Sequence, residues 1–430
     1  MKEGYKQSEI GVIPEDWDAV LISELTSEVG DGIHSTPTYS SNGNYYFING
    51  NNLDNGKIVV NQDTKRADLC EFKRHKRNLS DRSILLSING TIGNLAFYQG
   101  ESIILGKSAA YLNIKKEFSK QYVYFSLQTN SVKQSFEDRL TGTTIRNLGL
   151  GAIRNTLIAV PKDYREQKAI AQALSDADAA IAELDRLITK KRNIRQGATQ
   201  QLLTGKKRLS GFGEGKGYKQ TEIGIIPEDW NVHKISALVD NNRIPSGIYK
   251  EKGLYGKGTK IIKLGDVFSF DYFNPANAQR VFLNKDELLI YRVCVNDIFI
   301  ALASVKLEGV GKVMLVTHLD EDTAYDHNVA LIRTNNLVEP IFLFYLLKSN
   351  LIRKQVAKLS TQVGTTFLKS STILAFHLAI PAVKAEQTSI TAILSDIDIE
   401  IEALEQKRDK YKAIKQGMMQ ELLTGRTRLI

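Results

Sequence analysis

The residue clusters that could carry catalysis in this 430-residue chain are incomplete. Gly106-Lys107-Ser108 resembles the end of a phosphate-binding loop, but Gly100 lies one residue too far upstream and the residues between are typical of a strand. The glycines of Leu209–Gly217 (LSGFGEGKG) do not follow a predicted strand, so they suit a flexible linker better than a dinucleotide site. Asn274-Pro275-Ala276 lacks the second proline and the aromatic residue that amino-methyltransferases place against the target base.

Histidine, cysteine and serine show no spacing typical of metal ligands or nucleophiles. The six histidines are His34, His75, His233, His318, His327 and His377. None of them forms an HxxxH pair, and Cys70 and Cys294 lie far apart, so neither a zinc site nor a disulfide framework is indicated. No serine stands in a GxSxG motif. We therefore expect a binding or assembly subunit that holds no metal and no cofactor of its own.

The charge of the chain favours a polyanionic partner. The net charge is +9 and the pI is about 9.2, although a basic surface kept for solubility explains the same values. The densest basic run is Lys73-Arg74-His75-Lys76-Arg77. It could follow a phosphate backbone, or it could be a solvated charged turn.

Two further segments could contact nucleic acid. The first half has an amide-rich loop with Asn49, Asn51, Asn52, Asn55 and Lys57, and amide side chains can read adenine edges. Asn-Gly turns in hairpins explain the same residues. The second half has basic residues interleaved with Tyr249, Tyr255 and glycines: Arg243, Lys250, Lys252, Lys257, Lys260 and Lys263. This mixture suits a surface that faces a nucleic-acid groove.

The elements that must position these residues are organised as two repeats. Gly4–Trp17 (GYKQSEIGVIPEDW) recurs as Gly217–Trp230 (GYKQTEIGIIPEDW), and we call these segments the frame motifs. EQKAIAQALSDADAAIAELD, which begins at Glu166, recurs as EQTSITAILSDIDIEIEALE at Glu386. Leu-Leu-Thr-Gly closes each half, at 202–205 and 422–425. The repeats indicate one architecture that holds two different recognition surfaces.

Hydrophobic spacing predicts a long helix in each half, Glu166–Leu203 and Glu386–Leu423, because apolar residues recur at alternating intervals of four and three. The seam residues are Ile170, Leu174, Ala177, Ile181, Leu184 and Ile188, then Ile390, Leu394, Ile397, Ile401 and Leu404. The two stripes are expected to cover each other in an antiparallel pair. The stretches between frame motif and helix alternate short strands with helices at Tyr122–Leu127 and Ile341–Leu347, which predicts mixed α+β domains.

Five segments are expected from this pattern. They are a first domain at 1–163, the first long helix at 164–209, a glycine-rich linker at 210–216, a second domain at 217–383 and the second long helix at 384–430. The polar N-terminus cannot be a signal peptide, and no apolar run reaches the roughly 18 residues that a membrane span requires. The cytoplasm is therefore the expected location.

Taken together, the motifs resemble the specificity subunit of type I restriction-modification systems. The resemblance covers essentially the whole chain and is carried by the doubled EIGxIPEDW frames, by the Glu-Gln pairs at Glu166 and Glu386, by the LLTG ends and by the Gly-Thr-Thr turns at Gly142 and Gly364. It implies two α/β target-recognition domains separated by two antiparallel coiled-coil helices, with an internal pseudo-two-fold repeat. It adds the turn residues Thr143, Thr144, Arg146, Thr365 and Thr366 to the candidate DNA contacts.

The same resemblance implies a chain that is not an enzyme by itself. It would bind a bipartite, asymmetric site on double-stranded DNA and direct adenine methylation and restriction by its partners. Those partners would be two methyltransferase subunits and the restriction/translocase subunits of a type I complex, and S-adenosylmethionine, ATP and Mg²⁺ would belong to them. The alternative from another class is a coiled-coil adaptor with two protein-binding domains. A stand-alone DNA-modifying enzyme would need a cofactor motif that the sequence lacks.

Overall fold

The computed structural model describes residues 3–142, 146–359, 361–363 and 365–429, except for the side chains at 361–363 and 365. The chain divides into two compact units, one made of residues 1–186 and 405–430 and the other of residues 187–404. The boundary falls inside both long helices, which span Tyr164–Leu202 and Lys384–Leu422. Each unit therefore contains one domain of mixed strands and helices together with a part of each long helix.

The first unit is built from short strands and short helices before its long helix. Its strands are Tyr5–Ser8, Gly11–Pro14, Trp17–Leu21, Thr26–Asp31, Tyr45–Ile48, Leu53–Asp54, Lys57–Ile58, Arg66–Ala67, Ser83–Ser87, Leu95–Phe97, Ile103–Leu105, Ala109–Ile114, Leu140–Thr141, Asn147–Leu148 and Leu157–Pro161. Its short helices are Ile22–Leu25, Gly50–Asn52, Leu69–His75, Lys120–Ser126, Asn130–Glu137 and Leu150–Arg154. The strands at Thr26, Ser83, Leu95 and Ala109 form one antiparallel sheet. A second sheet pairs Ile103–Leu105 with Tyr45–Ile48 in parallel.

The second unit repeats this plan with different side chains. Its strands are Tyr218–Thr221, Gly224–Pro227, Trp230–Lys234, Tyr255–Ile262, Gln279–Val281, Ile298–Ala301, Ala303–Ser304, Val313–Leu315, Thr323–Tyr325, Val329–Ile332, Thr361–Val363, Thr365–Phe367 and His377–Pro381. Its short helices are Ile235–Ala237, Asp240–Asn242, Lys252–Leu254, Leu264–Ser269, Pro275–Asn277, Lys285–Ile290, Pro340–Lys348, Asn350–Leu359 and Ser370–Leu374. Again one sheet is antiparallel, and another contains a parallel pair, Tyr255–Ile262 with Thr323–Tyr325. The predicted mixed α+β class and the internal repeat are confirmed.

The repeated Trp and Glu-Gln residues hold each long helix against its domain. In the first unit the Trp17 indole donates to Glu166 at 3.1 Å, and both side chains are fully buried. Gln167 accepts from the Ser119 N–H at 2.8 Å and donates to the Pro161 carbonyl at 2.9 Å. Because each buried polar atom named here has a partner, no unpaired polar group is left where the helix begins inside the core.

The second unit uses the same contacts. Trp230 donates to Glu386 at 3.3 Å, and Gln387 joins the Glu339 N–H, at 2.8 Å, to the Pro381 carbonyl, at 3.0 Å. The identical roles explain why these residue types occur twice at matching places in the sequence.

The Leu-Leu-Thr-Gly segments pack on the prolines of the frame motifs. Gly425 has a φ of +69°, and a Cβ there would lie 2.4 Å from Cγ of Pro14. Gly205 has a φ of +66° and stands in the same relation, also 2.4 Å, to Pro227. The left-handed backbone and the close contact both require glycine. Tyr5 completes the first contact by donating its hydroxyl to the Gly425 carbonyl at 2.9 Å.

An arginine after each of these segments closes the frame with two carboxylates. Arg208 contacts Glu386 at 2.6 and 2.8 Å and Asp229 at 2.7 and 2.9 Å. These hydrogen bonds lower the pKa of Asp229 to about 2. In the first unit Arg428 contacts Glu166 and Asp16 in the same way and lowers the pKa of Asp16.

Within each unit the two long helices pair antiparallel. In the first unit Asp178 pairs with Lys415 at 2.6 Å and Asp185 with Arg408 at 3.5 Å. Residues later in the first long helix therefore contact residues earlier in the second. In the second unit Arg195 donates to Asp398 at 3.2 Å and Lys191 pairs with Glu400. The predicted apolar stripe is confirmed in part. Seven of its eleven residues are buried (Ile170, Leu174, Leu184, Ile188, Ile390, Leu394 and Ile401), and the other four are half-buried. Ile170 and Leu174 pack in the core of the first domain and Ile390 and Leu394 in that of the second, so the start of each stripe is covered by its own domain. Among the described residues, no helix has the length and apolar character needed to cross a lipid bilayer.

Candidate nucleic-acid interface

A basic groove opens on the second domain beside its parallel strand pair. Its volume is about 830 Å³, and it contains three of the predicted contact residues, Lys250, Lys252 and Lys263. Tyr249 and Tyr255, the aromatic residues interleaved with these lysines in the sequence, also line it. The remaining lining residues are Gly256, Ala278, Gln279, Arg280, Asp326, His327 and Asn328. Cations, aromatic rings and amides thus share one concave surface, which is the composition expected for a nucleic-acid contact.

Hydrogen bonds and ring contacts orient the lysines of this groove. Lys263 lies 4.4 Å from the centre of the Tyr255 ring and donates to Gln279 at 3.2 Å. The Tyr255 hydroxyl donates to Asp326 at 3.2 Å, and burial together with the negative charge of Asp326 raises the pKa of Tyr255. The Tyr255 hydroxyl therefore stays neutral and can act as a hydrogen-bond donor at physiological pH.

Lys250 is held at the edge of the groove by Glu287. The two side chains meet at 2.5 Å, and the hydrogen bond lowers the pKa of Glu287. Lys252 is exposed. The groove therefore offers one cation that is neutralised in the unbound protein and another that is open to solvent.

Three other predicted residues of the second half do not line the groove. Arg243 and Lys257 are exposed at other places on the domain. Lys260 is buried, and it pairs with Asp320 at 2.7 Å and with Glu321 at 3.2 Å. It lies on the strand Tyr255–Ile262, where burial makes a compensating carboxylate necessary, so we remove Lys260 from the candidate contacts.

The amide-rich loop of the first domain has both structural and exposed members. Asn52 is buried: its side-chain oxygen accepts from the Asn49 N–H and its nitrogen donates to the Val59 carbonyl, both at 3.0 Å. Because the oxygen and the nitrogen of this amide both form hydrogen bonds inside the loop, we also remove Asn52 from the candidate DNA contacts. The half-buried Asn49 accepts from the Ser108 hydroxyl at 2.9 Å. Asn51 and Lys57 remain exposed.

The Asn-Gly alternative holds for one of the two turns. Asn55 and Gly56, with φ angles of +46° and +81°, form the tight turn between Leu53–Asp54 and Lys57–Ile58. In the Asn49-Gly50 pair, Asn49 instead caps the short helix Gly50–Asn52, and Gly50 is its first residue.

The basic run is split by its local contacts. Lys73 and Lys76 are exposed, whereas Arg74 pairs with Glu71 at 2.6 Å. Arg77 is half-buried and donates to the Gly32 carbonyl at 3.0 Å. The two lysines are therefore the residues of this run that solvent or a polyanion reaches most freely.

The Gly-Thr-Thr turns are only partly covered by the structure. Thr143 and Thr144 lie outside the described residues, as does the side chain of Thr365. Thr366 is buried, and its hydroxyl has no partner among the described residues. Arg146 is exposed and pairs with Glu137 at 3.0 Å.

The sequence-based prediction missed the polar groove residues Gln279, Arg280, Asp326, His327 and Asn328. They come from two segments separated along the chain, and the pairing of remote strands brings them together. Both segments carry polar and charged residues, at 274–280 and 320–328, but neither combines lysines with tyrosines in the way that marked 249–263. Among the described residues, no three His, Cys, Asp or Glu side chains come together as a metal site.

Comparison with known proteins gives matches over the whole chain. The family model for the type I restriction modification DNA specificity domain matches residues 14–193 and 227–413. The type I restriction enzyme MjaVIII specificity subunit of Methanocaldococcus jannaschii is 27% identical over 435 residues, covering 100% of this chain and 97% of that protein. The putative MjaX specificity subunit of the same organism is 24% identical over 448 residues, with 100% and 97% coverage.

The fold also matches solved structures. The S subunit of a type I restriction-modification system from M. genitalium superposes with a TM-score of 0.58 at 16% identity, over 95% of this chain and 96% of that one. A chain from a structural study of type I complex assembly superposes with a TM-score of 0.57 at 15% identity, over 96% and 99% of the two chains.

Proposed function

Because the chain belongs to the family of type I restriction-modification DNA specificity domains, we propose that it binds a split, asymmetric sequence on double-stranded DNA and directs partner enzymes to it. The family and the relatives support the role of a specificity subunit and do not support the coiled-coil adaptor. A specificity subunit carries no catalytic step itself.

One observation carries the proposal of a split site. The two units share the contacts of the frame, from the buried Trp-Glu pair to the arginine cluster. The surfaces beside their parallel strand pairs differ, because the second has a groove of lysines and tyrosines and the first has exposed amides and basic residues. One scaffold that presents two different surfaces fits a target with two different halves.

The lysines supply the affinity in this proposal. Lys250, Lys252 and Lys263 in the second domain, and Lys57, Lys73 and Lys76 in the first, contact phosphates. Asn49 and Asn51 remain candidate contacts of the first domain. Arg74, Arg77, Thr143, Thr144, Arg146, Arg243, Lys257, Thr365 and Thr366 stay candidate contacts that rest on the sequence alone. The target is chromosomal DNA, so the proposed place of action is the cytoplasm of a bacterial or archaeal cell.

The long helices provide the proposed docking surfaces for two methyltransferase subunits. Ile194 and Ile414 each lie eight residues before the Leu-Leu of their segment and are 45% and 46% exposed. Because the two isoleucines stand at equivalent positions of the two halves, a partner that docks against one can dock against the other in the same way. Two such positions support two near-equivalent subunits. The restriction/translocase subunits complete the complex, and S-adenosylmethionine, ATP and Mg²⁺ act in the partners.

Native mass spectrometry tests the stoichiometry. We expect two methyltransferase subunits per chain in the wild-type complex and one after Ile194→Glu or Ile414→Glu, because a buried carboxylate opposes docking. The Lys412→Gln variant is the matched control, because Lys412 is exposed and lies about 200° around the helix from Ile414. A strict one-to-one wild-type complex at saturating methyltransferase would contradict the two-site proposal.

The salt dependence of DNA binding tests the phosphate contacts. The affinity of the purified complex for its duplex should fall with salt, and Lys252→Ala should reduce the slope by about one counterion. An affinity that is independent of both salt and DNA sequence would contradict a role in DNA recognition.

A further inference from the structure

The two recognition domains share one three-residue turn. It follows the parallel strand pair and comprises Gly106-Lys107-Ser108 in the first domain and Asp326-His327-Asn328 in the second. In both domains the first residue of the turn donates its N–H to the neighbouring strand, from Gly106 to Ile48 at 2.8 Å and from Asp326 to Ile262 at 2.9 Å. In both, the residue after the turn donates back to its first residue, at 3.0 and 3.1 Å. The backbones are therefore equivalent although the side chains are unrelated.

A Gly-Ile segment crosses the turn in each domain. Ile33 donates to the Leu105 carbonyl at 2.8 Å, and Ile248 donates to the Tyr325 carbonyl at 2.9 Å. The glycine before each isoleucine has no room for a side chain, because a Cβ would lie 2.2 Å from the Leu105 oxygen at Gly32 and 2.0 Å from the Tyr325 oxygen at Gly247. The close contact fixes the backbone of both segments and leaves the neighbouring side chains as the variable part.

The variable side chains are polar and accessible. His34 and Lys107 are exposed in the first domain, and Tyr249 and Asn328 are exposed in the second. The rings of Tyr249 and His327 meet edge to face at 4.9 Å. The amide nitrogen of Asn328 donates to Asp326 at 2.8 Å and lies 3.1 Å from Nε2 of His327, and its amide oxygen accepts no hydrogen bond among the described residues. This amide is held in position and keeps an open acceptor.

We propose that this turn, with the residue after the crossing Gly-Ile pair, is the specificity-determining element of each domain. In the first domain it consists of His34 and Lys107, and in the second of Tyr249, His327 and Asn328. The inference rests on the proposed function. Lysine donates to the acceptors of guanine and asparagine pairs with adenine, so the same backbone presents different base preferences in the two domains. The Gly106-Lys107-Ser108 sequence, which resembles the end of a phosphate-binding loop, is thereby assigned to base recognition.

Exchange variants test the proposal in the full chain, assembled with the methyltransferase subunits of its own system. Lys107 and His327 are the middle residues of the two equivalent turns. Lys107→His and His327→Lys therefore give each turn the middle residue of the other. Methylated sites are then sequenced genome-wide. We expect Lys107→His to alter one half of the site and His327→Lys to alter the other. Asn328→Ser should relax the half affected by His327→Lys, with a loss of discrimination of about tenfold or more.

Asn336→Ala is the matched control, because Asn336 is exposed beyond the far end of the strand that Asn328 precedes. It should leave both halves of the motif unchanged. Unchanged motifs in all three turn variants, alongside a defined split site for the wild type, would overturn the turn as the reading element and leave the proposed function intact. A wild-type complex that methylates no defined site would instead refute the proposed function itself. The melting temperature of each assembled complex should equal that of the wild type. A turn variant whose methylation motif is lost together with its thermal stability would also count against the proposal.

Discussion

Replacing Arg208 with alanine is expected to destabilise the second unit by about 3–5 kcal/mol, the cost of breaking a buried ion pair from one side. Arg208 is only 13% exposed, and it contacts Glu386 and Asp229 through four hydrogen bonds of 2.6–2.9 Å. Glu386 is 3% exposed. Without the guanidinium, this carboxylate would keep only the Trp230 indole, at 3.3 Å, as a hydrogen-bond partner among these residues.

Lysine should restore part of the loss. Arg208→Lys keeps the positive charge, but a single ammonium group cannot reproduce two bidentate contacts. We therefore expect a destabilisation between those of wild type and Arg208→Ala. Arg208→Ala combined with Glu386→Gln should be less unstable than Arg208→Ala alone, since the unpaired buried charge is then removed.

Tryptophan fluorescence provides the assay, because the chain has two tryptophans, one in each frame motif. In a Trp17→Phe background the remaining signal comes from Trp230, which is fully buried beside the cluster. Urea unfolding of the full-length chain then reports on the second unit, and the midpoint should fall while the slope stays constant. Lys216→Ala, which removes the exposed lysine near Asp229, is the control and should cost less than about 1 kcal/mol. A midpoint for Arg208→Ala equal to that of the control would refute the role of the cluster.

Three further predictions concern the frame and the long helices. Because the pKa of Asp229 is lowered to about 2 from its ordinary value of 3.8, its ionised form should add about 2 kcal/mol to the free energy of unfolding above pH 4. This stabilisation should disappear as the pH falls from about 4 to 2. Arg208→Ala should abolish the pH dependence in acid titrations followed by fluorescence. Gly425→Ala should cost about 1–3 kcal/mol or more in urea unfolding, because it combines a φ of +69° with a contact of 2.4 Å to Pro14. Gly417→Ala, in open space within the long helix that ends before Gly425, should not destabilise. Insertion of four residues, one turn, within Thr189–Thr199 should lengthen the helix by about 6 Å and rotate the residues that follow by about 40°. The gap between the two half-sites should then change by about one base pair. An active variant whose methylated sites keep the original gap would show that the helices do not set the spacing.

The elements with a strong local signal could be predicted from the sequence. The seam residues gave the long helices to within two residues at each end, Tyr164–Leu202 and Lys384–Leu422. The doubled motifs gave the frame, and the structure supplies the reason for each residue: tryptophan for the buried glutamate, glycine for the contact with proline.

The recognition surface could be predicted only in part. Lys250, Lys252 and Lys263 line the groove as the mixture of basic and aromatic residues predicts, whereas Lys257, which lies between them in the sequence, does not. Lys260 has the same residue type and lies three residues before Lys263, but its strand position turns it into the interior, where Asp320 neutralises it. His327 and Asn328 reach the groove through a parallel strand pair, which no local pattern encodes. Whether a polar residue lines the groove or is buried therefore depends on strand pairing between distant segments.

Replacement of one domain shows whether each domain reads its half of the DNA site independently of the other. Residues 18–163 are exchanged for the corresponding stretch of a relative, the chain is expressed with its methyltransferase subunits in a host without other adenine methylation, and all methylated sites are sequenced. The account predicts a two-part motif in which one half and only one half changes, with the gap preserved. A simultaneous change in both halves, or an unchanged motif, would contradict it.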